Sequence, residues 1–419
     1  MRKKLLPDDV ISYIFSKLSL KDLVKTSTLS KQWRDEWGLR VDLNFDLDNI
    51  FDFITIQELQ ESLPLFQSEF ATRMNQFMLH YQGAKIHSIR VNFPLGDEHS
   101  DTIDRLISQG IAKGAKRIEL LFSYETNDIG HNLEIQPYKI SFTLLSHTDS
   151  MTHLHLQNCL IVEPMDFSGF KNLRTLVLHL VVVKQDLIQG LFSNCIHLLD
   201  FTLNACKLKS DLKIISPTLF HLNIVHCQRK RNIDIIASNL SSIVYTYSHK
   251  YAIHTMNVKA HMLSKFSYKG SKISKRGVGF SGMKNVTTIV LEGLNECLQS
   301  HVIPLLFSEC LQLEDVTFKN CRLIWELNIV SAKLRHLNII DCGFGRYTPH
   351  RIDIDASNLS SFEYSSHTTK IISIKAPRLL KVFWNAAKRE ENPCPFGPIA
   401  TLHHIQNLSM IISHSQVSK

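Results

Sequence analysis

Glycine is scarce in this chain, 16 residues of 419, below the average usage of about 7%. That argues against folds built on several phosphate-cradling glycine loops. Cysteine numbers 9, an odd count with no CxxC pair, so neither a disulfide scaffold nor a ribbon-type zinc module fits. Reduced thiols in a cytosolic or nuclear protein are expected. Long apolar runs are missing too. The longest, Leu176 to Val183, is broken by His179 and is too short to cross a bilayer. The N-terminus MRKKLLPDDV has no secretory hydrophobic region, so no signal peptide is expected. No GxSxG, HExxH or P-loop signature occurs, and catalysis by this chain is not expected. Lys plus Arg exceeds Asp plus Glu by 47 − 39 = 8, a basic balance that admits acidic partners without pointing to nucleic acid. The length fits two or three domains.

The first forty residues read as three short helices. Pro7 suits a first helical turn and Asp8 and Asp9 favour its positive end. Val10, Ile11, Ile14, Phe15 and Leu18 follow at helical spacing. Ser19 with Asp22 spells a capping box before Leu20, Leu23 and Val24, and Ser30 can cap a third helix carrying Trp33 and Trp37. A module this small cannot bury so much apolar surface by itself, so part of the surface should meet another protein.

From about residue 86 one phrase recurs: an apolar residue, two more at +3 and +5, and often Cys at +8. Copies with cysteine are Met151-Leu154-Leu156-Cys159, Leu198-Phe201-Leu203-Cys206, Leu219-Leu222-Ile224-Cys227, Leu313-Val316-Phe318-Cys321 and Leu334-Leu337-Ile339-Cys342. With the copies that lack cysteine, the steps from Leu154 to Val382 run between 20 and 27 residues, the leucine-rich-repeat period. Each unit predicts a short strand feeding a shared core, and stacked units build a curved solenoid. A longer duplication lies on top, about 170–268 and 283–384: LFSNCIHLLDFTLNACKL at 191 resembles LFSECLQLEDVTFKNCRL at 306, and IDIIASNLSS at 233 resembles IDIDASNLSS at 352. Segments such as Leu327 to Ser331 and Ile372 to Ala376 predict a second, extended side to each repeat, with no helix needed. Ahead of the array, Phe53 to Tyr81 and Asp101 to Lys113 look helical, and Ile86 to Phe93 and Arg117 to Phe122 look like strands. The domain reading is 1–45 for the helical module, 46–85 for a helical linker and 86–419 for the repeats.

The stretch LPDDVISYIFSKLSLKDLVKTSTLSKQWRDEW resembles the F-box, and with the repeats the whole chain resembles plant F-box/leucine-rich-repeat proteins, in α/β class. The resemblance implies docking to a Skp-type adaptor of a cullin ubiquitin ligase, with Leu6, Pro7, Ile11, Ile14, Phe15, Leu18, Leu23, Val24 and Trp33 lining or supporting that contact. It implies a non-catalytic receptor for a protein substrate, in the nucleus or cytoplasm, without membrane or nucleic-acid partners. The other class compatible with the sequence is a repeat scaffold outside any ligase, its F-box kept as a helical cap. Many relatives carry a C-terminal FBD segment. Here IATLHHIQNLSMIIS starts one more repeat, and the FBD pattern is not found.

Outward strand residues are where a substrate should be read. The residue before each middle apolar position runs Thr175, Asp200, His221, Ser242, Lys265 and then, in the same order of types, Thr288, Asp315, His336, Ser361, Lys381. This row reads either as a hydrogen-bonding ladder or as a recognition surface. Next to the second strand apolar, His179, Asn204, Lys269, Glu292, Lys319 and Asn385 differ between the blocks and are the specificity candidates. Arg229-Lys230-Arg231 and the cluster Lys269, Lys272, Lys275, Arg276 read as solvated basic loops or a weak nuclear-import patch, or as binders of acidic segments. GVGFSG at Gly277 to Gly282 spells GxGxxG, but it leads into a repeat strand rather than a helix, so no dinucleotide site is expected. The cysteines form a column rather than a metal cage, and neither cofactor nor metal is expected, His153 and His155 or His221, His226 and Cys227 included.

Overall fold

The computed structural model describes residues 7–26, 40–52, 54–123, 136–146, 149–228, 232–247, 255–270, 278–279, 282–294, 302–323, 326–342, 350–365, 371–385 and 405–411. The chain divides into two compact units, Met1–Lys207 and Leu208–Lys419. None of the described helices is long and apolar enough to cross a membrane.

The first unit starts with α1 (Asp8–Lys17) and α2 (Leu20–Thr26). Pro7 is the N-cap of α1. The Ser19 hydroxyl accepts from the Asp22 N–H at 3.1 Å and donates to the Asp22 carboxylate at 2.5 Å, which starts α2 where the sequence places it. Arg40 ends α1: its Nη1 donates to the Leu18 and Phe15 carbonyls at 2.5 and 3.2 Å, filling acceptors that a helix C-terminus leaves open. The helices Ile56–Glu61 and Leu63–His80 follow, the former opened by a Thr55–Glu58 capping box. Phe70 stacks on Phe93 with centroids 4.3 Å apart, and Phe45 meets Phe77 edge-on, which seats the long helix on the first strands.

Those strands begin earlier than the repeat phrase. Asp42–Asp46 pairs in parallel with Ser88–Asn92, then come Arg117–Leu121, His153–Gln157, Thr175–His179 and Asp200–Asn204, each in register with the one before. The first strand belongs to no copy of the phrase, and it sits at the junction of the segments read as F-box and linker. Its alternation Leu43, Phe45 inward with Asp42, Asn44, Asp46 outward suits a strand with one covered face.

In the second unit His221–Val225, Ser242–Thr246, Lys265–Lys269, Thr288–Glu292, Asp315–Lys319, His336–Ile340, Ser361–Ser365, Lys381–Asn385 and Asn407–Ile411 stack the same way. A second set of strands backs them: Leu212–Ile215, Ile233–Ile236, Met256–Lys259 and Val278–Gly279, and separately Glu326–Val330, Arg351–Asp355 and Ile371–Lys375. The extended second side expected for the repeats is therefore present behind these strands. The expectation that no helix is needed fails at two repeats. Gln185–Asn194 and Val302–Glu309 are α-helices, one in each copy of the duplicated block. Each ends at the duplicated cysteine, whose N–H donates to the carbonyl four residues back, Cys195 to Leu191 at 2.7 Å and Cys310 to Leu306 at 3.0 Å. Leu187, Ile188 and Leu191 supply a helical apolar face, a period of 3.6 that the strand phrase hides.

Second and fourth residues of the main strands fill the core; the first, third and fifth line the open face, as in Asp200–Asn204 and Ser242–Thr246. The residue after the strand turns left-handed: Asn158, Leu180, His226, Asn320 and Asp341 have φ between 49° and 56°, and Gly293 has 76°. Its N–H reaches the last carbonyl of the next strand, as from Leu180 to Asn204 and from Asn320 to Ile340, both 2.9 Å.

Val278–Gly279 of the GVGFSG segment is one of the backing strands. A Cβ on Gly282 would lie 1.7 Å from the Val258 carbonyl oxygen, so this glycine serves close backbone approach.

Candidate functional site

Two surfaces bear on function, both in named elements. On α1 and α2, Ile11, Phe15, Leu20 and Leu23 are buried in the chain's own core. Of the residues read as lining or supporting an adaptor contact, Ile11, Phe15 and Leu23 are thus turned to the chain's own core, since a helix has only one face to give to it. Pro7 is exposed, Ile14 and Leu18 are half-buried, and Val24 on α2 and Val10 and Tyr13 on α1 are exposed. Leu6 and Trp33, with the third helix expected after Ser30, lie outside the described residues. Beside α2 opens a groove of 670 Å³ lined by Leu20, Lys21, Val24, Lys25, Arg73 and His80 among others. Asp52 pairs with Lys21 and Lys25, each at 3.5 Å.

The second surface is the open face of the main strands. His179 and Asn204 are register partners in the first unit. In the second unit Lys269, Glu292 and Lys319 are fifth residues of three adjacent strands, and Asn385 holds the same position further on. All six specificity candidates thus occupy one kind of position.

The first-position row is hydrogen-bonded. Thr175 donates to Asp200 at 3.4 Å, Thr288 donates to Asp315 at 3.3 Å, His221 Nδ1 lies 2.7 Å from Ser242 Oγ, and His336 Nδ1 meets the second oxygen of Asp315. A side chain that bonds its neighbour across 4.8 Å of strand spacing must be kept together with that neighbour. The Thr–Asp bond is present in both blocks, which accounts for that part of the matching order.

The cysteines work at strand ends. Cys321 Sγ donates to the Leu291 carbonyl at 3.3 Å and Lys319 at 3.2 Å, and Cys342 to Phe318 and Ile340, both 3.3 Å. Burial pushes Cys195 and Cys310 up to about 12 and Cys159 higher, so these thiols are inert. Cys297 and Cys394 lie outside the described residues, as do Arg229, Lys230, Arg231, Lys272, Lys275 and Arg276.

One cluster escaped the sequence reading. Glu119, 8% exposed, accepts from Arg117 Nε at 2.5 Å and lies 3.4 Å from His153 Nε2 and 3.5 Å from Arg90 Nε. The His153 hydrogen bond, with Arg117 next, holds its carboxyl down at about 2. Across from it, burial holds His155 at about 4. The apolar spacing was there to be found, as Ile86-Ile89-Val91 and Ala115-Ile118-Leu120. It would have placed Arg90 and Glu119 on one open face.

Comparison with known proteins adds identity to this geometry. The F-box domain matches residues 4–38, and the family described as At1g61320/AtMIF1, LRR domain, matches residues 78–305 and 278–394. Relatives in Arabidopsis thaliana include F-box/FBD/LRR-repeat protein At1g13570, 28% identical over 217 residues, 52% of this chain and 47% of that protein. F-box protein At3g60790 is 27% identical over 228 residues, 53% of this chain and 44% of its own. F-box/LRR-repeat protein At3g26922 is 27% identical over 194 residues, 45% and 55%. The chain spans about half the length of the curated relatives it matches. With the repeat family covering more than half of the sequence and the F-box match lying over α1 and α2, the chain belongs to the plant F-box/leucine-rich-repeat proteins.

Proposed function

We propose that this chain is the substrate-recognition subunit of a Skp–cullin–F-box ubiquitin ligase. The observation that carries the reading is the division of α1 and α2: Ile11, Phe15 and Leu23 fill the chain's own core while Val10, Tyr13 and Val24 stay exposed, within the segment matched by the F-box domain. An exposed apolar set of this kind is what a partner buries. The open strand face, with its differing fifth-position residues, is the surface for a protein substrate. The chain itself is non-catalytic in this reading. It contributes proximity and orientation, and partner subunits carry out ubiquitin transfer. Its place is the nucleus or the cytoplasm, where such ligases act.

The test is co-purification of the full-length chain with a Skp-type adaptor, with a known F-box protein as positive control. Retention of the adaptor is the expected result. Failure, with the control retained, sinks the ligase reading and leaves a repeat scaffold whose F-box is only a helical cap.

A further inference from the structure

The Glu119 cluster is not used by any contact described so far. Arg90 and Glu119 are register partners on adjacent strands, as are Glu119 and His155. Arg117 lies two residues before Glu119 and so shares its face. Both arginines approach the carboxylate through Nε, at 2.5 Å for Arg117 and 3.5 Å for Arg90. Arg117 hydrogen-bonds Glu119 and Arg90 meets it as an ion pair, and the two side chains are 53% and 48% exposed. Among the described residues their Nη groups have no hydrogen-bond partner. Two like charges are held side by side by one shared carboxylate, which is itself only 10% exposed.

The charge balance selects the ligand. Glu119 remains ionised at neutral pH and His155 remains uncharged; with His153 Nε2 as a further partner of the carboxylate at 3.4 Å, Arg90 and Arg117 against Glu119 leave at least one positive charge in excess. His155 Nε2 is buried without a partner, so its ring is a wall of the cluster and does not tie up either arginine. Arginine forks match the two oxygens of a carboxylate. The cluster lies on an open strand face, where an extended chain can run across neighbouring strands.

We propose that Arg90 and Arg117 form a receptor for a carboxylate on an acidic segment of a protein substrate, with Glu119 as the buried counter-ion that holds the pair together. This rests on the reading of the chain as a substrate receptor. The site is the binding surface for the segment, and the fifth-position row adds further discrimination.

The experiment uses the full-length chain and three fluorescein-labelled peptides of one length: a Glu-Ser repeat, the same with Gln for Glu, and the same with phosphoserine for Glu. Binding is followed by fluorescence anisotropy at low and high salt. The Glu peptide is expected to bind, more weakly at high salt, and the Gln peptide not to bind. Arg90→Gln with Arg117→Gln should lower affinity for the Glu peptide about tenfold or more, since bonds between charged partners are the strong ones. Lys171→Gln, on an exposed loop, should leave it unchanged. An unfolding midpoint equal to wild type shows that the double variant is folded. Equal binding of Glu and Gln peptides, or undiminished binding by a folded double variant, would overturn the site. Binding of the phosphoserine peptide alone would overturn the carboxylate assignment. Adaptor co-purification, run on the same protein, is independent: its failure with intact peptide binding removes the ligase and keeps the receptor site.

Discussion

Lys269 Nζ lies 3.0 Å from Glu292 Oε1, and Lys319 Nζ approaches the same oxygen from the opposite strand at 3.9 Å. Glu292 is 21% exposed and the lysines about half exposed, so the carboxylate separates two like charges on the open strand face. Glu292→Gln should cost at most about 1 kcal/mol, because exposed ion pairs contribute little. Urea unfolding at low and high salt measures this. In proximity labelling, with and without a proteasome inhibitor, the same variant should change the set of captured proteins. An unchanged set removes this row from specificity.

The F-box helices separate fold from docking. Val24→Asp and Ile14→Asp should abolish adaptor co-purification, while charge reversal at Lys269 leaves it intact. Phe15→Ala, at a fully buried position, should instead destabilise the first unit by about 3–5 kcal/mol. Equal loss of adaptor from Val24→Asp and Lys269→Glu would point to unfolding and defeat the assignment.

Acid should weaken the first unit in two steps. The Glu119 carboxyl falls from 4.5 to about 2 on folding, so its contribution is complete above pH 4.5 and lost as pH falls toward 2. His155 falls from 6.5 to about 4. Its buried neutral ring resists protonation, so stability is lost as pH falls from 6.5 toward 4. Denaturant titrations across this range should show wild type more stable than Glu119→Gln by about 2–3 kcal/mol near neutrality. The gap should close as pH drops through the lower window, and a constant gap contradicts the linkage.

Thiol chemistry offers a check on the strand ends. Peptides containing Cys159, Cys195 and Cys310 should resist iodoacetamide in the native protein and be alkylated after denaturation, read by mass spectrometry. Native labelling at Cys195 or Cys310 would contradict their burial and raised pKa. Cys321→Ala removes the single S–H that lies within reach of two strand carbonyls and should cost about 1 kcal/mol.

Leu180 holds φ at 56° with its side chain 42% exposed. A left-handed conformation costs a non-glycine residue about 1–2 kcal/mol, whereas glycine adopts it freely and loses about 0.5–1 kcal/mol in chain entropy. Leu180→Gly should therefore raise the unfolding midpoint slightly. Gly282→Ala should lower it, since its Cβ would collide with the Val258 carbonyl. Thermal unfolding of both variants decides.

The repeat strands were legible because alternation at Leu154 and Leu156, or Leu337 and Ile339, is a local property that survives without knowledge of neighbours. The α2 start at Ser19 and Asp22 was legible for the same reason. The helices Gln185–Asn194 and Val302–Glu309 were not. Their apolar residues also satisfy an extended pattern, and only packing behind the main strands decides between the periods. Strand Asp42–Asp46 was missed because a strand of five residues carries too little pattern without its partner Ser88–Asn92.

By itself, then, the sequence determined the module order, the repeat period, the duplication and the row of types Thr, Asp, His, Ser, Lys, all properties of spacing along one chain. Tertiary structure decided which apolar residues of α1 and α2 are core and which are open, because burial depends on what lies opposite. It also decided that Thr288, Asp315 and His336 form a ladder. And it brought Arg90, Arg117, Glu119 and His153 together, since parallel pairing places Arg90 and His153, 29 and 34 positions away along the chain, within 3.5 Å of the Glu119 carboxylate.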